Sequence, residues 1–209
     1  KGTTVISQEF SPGKPTPTPL QEIRQQTTDD TAEKLDIEKI AEQKARELAE
    51  QIEKELKGEV ENGLLEVDTE RNEVMIRIRE KGSFSSGSAV LQTSFFPILD
   101  KIGNVLNKTD GELIVAGHTD NIPISTTQYP SNWVLSAARA ANVVHYYSKI
   151  DKLLADRMQI RAHSDTRPTA SNDTSENRAK NRRVEIIIRE DSPRPIVIDD
   201  PEQILEIDQ

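Results

Sequence analysis

Glu112-Leu113-Ile114-Val115-Ala116-Gly117-His118-Thr119-Asp120 is the stretch from which the rest of the chain can be placed. Its opening residues, Glu112 to Ala116, form a short apolar run that predicts a buried strand, and the strand ends in Gly117-His118-Thr119-Asp120. A loop follows to Pro130, and Ser131–Lys149 is an Ala-rich segment that predicts a helix. Met158–Ala162 then reads as a second brief strand, so this part of the chain is strand, loop, helix, strand.

Outward from this unit the pattern continues in both directions. Upstream, Phe95, Ile98, Leu99, Ile102, Val105 and Leu106 form one stripe at helical spacing, with Pro97 tolerable in the first turn. Before it, Lys81 to Ser88 is a Gly/Ser loop. Two strand-like runs, Leu64–Val67 and Glu73–Arg79, are separated by the turn-prone Asp68 to Asn72. In the second run Val74, Ile76 and Ile78 alternate with Glu73, Met75, Arg77 and Arg79, which makes one face largely apolar. Downstream, Ser175–Lys180 predicts a brief helix and Val184–Arg189 a last strand. From Leu64 the order is β-β-α-β-α-β-α-β with short connections, which predicts an α+β sandwich.

Ahead of the sandwich, Ile37, Ala41, Ala45, Leu48, Ile52 and Leu56 recur at steps of three and four and predict a helix over 36–56, with Gly58 as its stop. The stripe suits docking on the domain; a coiled coil between two copies is the other use of such a pattern. Residues 1–31 carry Pro12, Pro15, Pro17 and Pro19 and read as an extended linker, while 191–209 is an acidic, Pro-containing tail. The expected organisation is therefore linker 1–31, helix 32–60, domain 61–190 and tail 191–209.

The composition narrows the function. Across 209 residues the net charge is -9, which argues against a nucleic-acid binder and against adsorption to anionic lipid, without excluding a local basic cleft. There are no cysteines, so disulfides, thiolate metal sites and Cys nucleophiles are excluded. No apolar run approaches the ~20 residues of a membrane span. The chain starts at Lys1 without a signal segment, and an anchoring part is expected upstream.

Three segments carry candidate chemistry: Gly117-His118-Thr119-Asp120, then Asn132-Trp133-Val134-Leu135-Ser136-Ala137-Ala138-Arg139-Ala140, then Asn177-Arg178-Ala179-Lys180-Asn181-Arg182-Arg183. The first two set a carboxylate and a guanidinium near one loop. A carboxylate attracts an ammonium group, and a guanidinium can hold a carboxylate through two parallel hydrogen bonds. Asp120 and Arg139 thus either pair with each other or face a zwitterionic amino-acid centre. His118, His145 and His163 are the only histidines and none has another at metal-motif spacing, so no metal or other cofactor is expected. His118 is expected to turn inward or to orient the loop. A Ser136-His118-Asp120 hydrolase lacks the Gly-x-Ser-x-Gly elbow, and a muramidase would rest on acidic pairs that an acidic chain supplies by chance. Trp133 could stack on sugar, but as the only Trp in an amphipathic helix it is expected to be partly core.

The three segments resemble the signature of the OmpA-like peptidoglycan-binding domain over roughly Leu64 to Glu190. The resemblance implies a β/α sandwich with a mixed sheet, and a binder rather than an enzyme. It also implies that Asp120 and Arg139 grip the diaminopimelate of the peptide stem. Thr119, Asn132 and Leu135 would line the same pocket, with Arg178 and Arg182 matching the family's basic segment more loosely. The long stretch from Asn121 to Asn132, Ser131-Asn132-Trp133 and Leu135-Ser136 is similar to flagellar stator B subunits, most to the sodium-driven PomB type, of which MotB is the proton-driven relative. That subgroup implies a periplasmic region of an inner-membrane protein, a homodimer, and a channel-forming A subunit as partner. An outer-membrane anchor of the OmpA or Pal type, and a peptidoglycan hydrolase, are the alternatives.

Overall fold

The strand expected at Glu112–Ala116 forms and runs two residues further, as β3 (Glu112–His118), buried along almost its whole length. It extends because partners lie on both sides. The computed structural model describes residues 38–189, and within them five strands make one sheet. The others are β1 (Leu65–Glu70), β2 (Glu73–Arg79), β4 (Met158–Ala162) and β5 (Arg183–Arg189), in the order β1-β2-β5-β3-β4. The β1–β2, β2–β5 and β5–β3 pairs are antiparallel and β3–β4 is parallel, so the sheet is mixed. The fold class is α+β, as the pattern predicts.

Helices cover one face. A helix α1 over 38–55 is followed by a further turn, α2 (Lys57–Glu61), so Gly58 does not end the helical stretch as expected. A short turn α3 (Glu80–Ser83) kinks at Gly82, whose φ is 96°. Then come α4 (Phe96–Leu106), α5 (Asn132–Ile150), α6 (Lys152–Ala155) and α7 (Ser175–Asn181). The alternation in β2 sends Val74, Ile76 and Ile78 into the main core. There they meet Leu113 and Val115 of β3, Val184, Ile186 and Ile188 of β5, and Leu99, Ile102 and Leu106 of α4. Ile52 and Leu56 are fully buried in the same core, so the helical stretch docks on the domain, while Ile40 near its start is 57% exposed. The opposite sheet face carries a small apolar strip, Met75, Ile114, Ala116 and Ile187, bordered by ion pairs such as Arg77–Asp68 and Arg189–Glu73. The linker expected at 1–31 and the tail at 191–209 lie outside the described residues.

The unit that positions the site is β3-α5-β4. Gly117 lets α5 lie against β3: a Cβ there would sit 1.9 Å from the Ser136 carbonyl oxygen, far inside the contact distance of non-bonded heavy atoms. The helix starts where it does because the Ser131 hydroxyl accepts from the Val134 N–H and caps it.

Candidate functional site

The cleft opens at the end of the sheet where β2 and β3 finish and β5 begins. Its walls come from Glu80, Ser86 and Gly87, from the segment between Thr119 and Ile124, from Asn132, Leu135 and Arg139 on α5, and from Arg182. It encloses about 260 Å³. The polar groups converge there because three backbone turns meet. Thr119 N–H donates to the Ser164 carbonyl, and the Thr119 hydroxyl donates to the Asp120 carbonyl. Asn132 then fastens the loop that follows: its amide donates to the Asp120 and Ile122 carbonyls while its oxygen accepts from the Ile124 N–H. Asn132 is thus a clamp on the loop as well as a wall. Leu135 packs against Ala89 and Tyr129, and the Tyr129 hydroxyl accepts from the Ala89 N–H.

Asp120 and Arg139 do not pair with each other. Asp120, 6% exposed, accepts from the Ile122 N–H and makes an ion pair with Arg182 Nη1 at 2.7 Å. Arg139 is 1% exposed and pairs through Nη2 with Glu80, while its Nε donates to the Ser88 carbonyl at 2.9 Å. Its guanidinium also stands 5.5 Å above the Phe84 ring. Burial works against the Arg139 charge, and the Glu80 carboxylate counteracts it. Glu80 holds Arg139 on one oxygen and Arg182 Nε on the other. The result is a row of alternating charges, Arg139–Glu80–Arg182–Asp120. Within that row Arg139 Nη1 is buried and makes no hydrogen bond to another described residue. A buried donor without a partner is costly, so Arg139 is the member of the row with most to gain from an added acceptor.

The seven residues expected at the site separate into those the cleft gathers and one it does not. Thr119, Asp120, Asn132, Leu135, Arg139 and Arg182 all line it. Arg178 does not; from α7 it donates to the Asn172 carbonyl and braces a loop. That loop is held mainly by Asn181, which is fully buried and bonds to Thr169, Ala170 and Asn172. Arg183 turns to the opposite sheet face and meets Glu185. Trp133 corrects the expectation of a partly core residue: it is 52% exposed. It lies in the first turn of α5, ahead of the contact between Ser136 and Gly117, and so projects beyond the packed part of the helix. His118 does turn inward, at 2% exposure, and its ring lies 4.9 Å from that of His163. Glu80 is the site residue that sequence reasoning missed. The pairing of Arg79 with Arg183 places it beside Arg182, and its N–H donates to the Arg182 carbonyl. That register joins residues about a hundred positions apart, and no local pattern announces it.

Comparison with known proteins agrees with this geometry. Residues 83–182 match the model of the OmpA family. The chain is 35% identical over 139 residues to Motility protein B of Bacillus subtilis, covering 66% of this chain and 53% of that protein. The chain spans about half the length of curated relatives that it matches. Among solved structures, the cell wall anchor of the T6SS from Pseudomonas aeruginosa is 37% identical, with a TM-score of 0.63, covering 66% of this chain and 96% of that one. A MotB-like protein from Desulfovibrio vulgaris shares the fold, at 20% identity and a TM-score of 0.67, covering 74% of this chain and 99% of that one. A cleft built from strand end, helix start and the first turn of a last strand thus lies, Glu80 apart, within a segment, residues 83–182, that is similar to the OmpA family.

Proposed function

We propose that this domain is a periplasmic cell-wall anchor that holds peptidoglycan by the diaminopimelate of its peptide stem and does not transform it. The observation that carries the reading is that Arg139, whose buried Nη1 makes no hydrogen bond, and the Asp120 carboxylate line one cleft without pairing with each other. A free amino-acid end complements both groups: its carboxylate meets the Arg139 guanidinium and its ammonium shares the Asp120 carboxylate with Arg182. The names of relatives support it, since they include motility protein B and a peptidoglycan-binding protein of Mycobacterium tuberculosis. We infer further that the anchor belongs to a flagellar stator B subunit of the sodium-driven type. It would act as a homodimer, with a channel-forming A subunit as partner in the inner membrane.

The test is co-sedimentation with purified peptidoglycan. The wild-type domain is expected in the pellet and Asp120→Asn in the supernatant, with an unchanged circular dichroism spectrum. A folded Asp120→Asn that still sediments would overturn the reading. The 37% identity to a T6SS wall anchor favours a second reading, the same ligand held on behalf of another membrane complex. Deletion in the host separates the two: loss of swimming with wall structure intact marks the motor.

A further inference from the structure

The charged residues lining the cleft are two carboxylates, Glu80 and Asp120, and two guanidiniums, Arg139 and Arg182. Three of the four are nine-tenths or more buried, so the charge balance among them is felt by whatever enters, with little screening by water. We propose that Glu80 is the specificity-determining residue of the site: by discharging both arginines it keeps the cleft neutral, so that the cleft takes a zwitterion and refuses a plain anion. This rests on the reading of the cleft as a wall-ligand site and deepens it.

The geometry gives the reason. Without Glu80 the cleft would hold two cations against one carboxylate, and Asp120 is already engaged by Arg182 at 2.7 Å. Such a site would attract any carboxylate through the Arg139 donor, and it would repel an ammonium. With Glu80 in place, Arg139 is neutralised on its Nη2 side while its buried Nη1 still has a hydrogen bond to give. Arg182 is likewise held through Nε, so a ligand ammonium can share Asp120 without leaving Arg182 unpaired. An entering group must then bring one charge of each sign. A lone carboxylate gains the Arg139 hydrogen bond but leaves the cleft with an excess negative charge.

The experiment compares two free competitors for wall sedimentation of the whole chain: diaminopimelate, and pimelate, the same seven-carbon diacid without its amines. For the wild type, diaminopimelate is expected to compete better. In Glu80→Gln, which keeps the shape and removes the charge, the advantage of diaminopimelate is expected to shrink by about tenfold. Glu80→Asp, which keeps the charge, should retain most of it. A residue that merely stabilised the fold would weaken both competitors alike and leave their ratio unmoved, and that outcome overturns the proposal. Should Glu80→Gln fail to fold, Arg182→Gln shifts the balance the other way, and the ratio is then expected to rise; an unchanged ratio there also overturns it. Failure of the wild type to sediment at all would instead sink the wall-anchor reading itself.

Discussion

Asp120 and Arg139 answer to substitution differently, because one ends the row of charges and the other is sealed beneath it. Asp120→Asn keeps the acceptor for the Ile122 N–H but turns the oxygen that meets Arg182 into an amide donor, so the charge and the Arg182 contact are lost together. It is expected to lose binding with the fold intact. Arg139→Ala removes a fully buried side chain and leaves Glu80 with one partner instead of two, so a stability loss of about 3 kcal/mol accompanies the loss of binding. Urea unfolding of the two variants checks this; equal stabilities would contradict it. Gly117 belongs to the same scale. Gly117→Ala puts a methyl against the Ser136 backbone, where neither strand nor helix can yield cheaply, and is expected to cost ~3 kcal/mol or more. A thermal unfolding scan within a few degrees of wild type would show that α5 can lift away from β3.

At the scale of elements, the docked helix divides into two halves. Ile52 and Leu56 are fully buried, and truncating either to Ala is expected to cost ~2–5 kcal/mol by urea unfolding. Ile40, more than half exposed, should cost under ~0.5 kcal/mol by the same measurement. A uniform response along the helix would contradict that division. Most elements were legible in the sequence because their signals are local: the alternation of β2, the apolar stripe of α4, the Ala-rich run of α5. The extension of β3 through His118 and of β1 to Glu70 was not, because strand ends are set by partners rather than by their own residues. The same holds for the site. Asp120, Arg139 and Arg182 sit in quotable motifs, whereas Glu80 reaches the cleft only through the β2–β5 register. Trp133 misled because helical spacing assigns a face and does not say where the neighbouring sheet ends.

For the molecule as a whole, acid is the natural stress. His118 is buried, which pushes its pKa down, and the nearby Arg183 adds to this against the opposing pull of Glu185, 3.2 Å away. A base whose pKa falls on folding gives stability that is complete above its unfolded value of about 6.5 and is lost progressively below it. Glu185 acts lower on the scale. Burial pushes its pKa up, but contacts with His118 and Arg183 outweigh that and hold it below the ordinary carboxylate range, so its contribution fades only below about pH 4. Stability is therefore expected to drop between pH 7 and pH 5, and His118→Gln should flatten that step. Chemical unfolding at the two pH values checks it; a His118→Gln profile parallel to wild type would contradict it. The sheet has a further consequence, a mechanical one. The early turns of α1, at Ala41, Lys44 and Ala45, rest against Asn72, Val74 and Ile188, at the end of β2 and β5 remote from Glu80. A pull on the chain ahead of α1, resisted by a ligand in the cleft, is then stretched along the strands and loads the hydrogen bonds of the β2–β5 pair side by side. If the helix peels off, the pull enters instead at Leu65, which pairs with Ile78 at the cleft end, and β1 can be unzipped one bond at a time. Seating or releasing one helix thus decides whether the same sheet behaves as a lap joint or as a peeling strip.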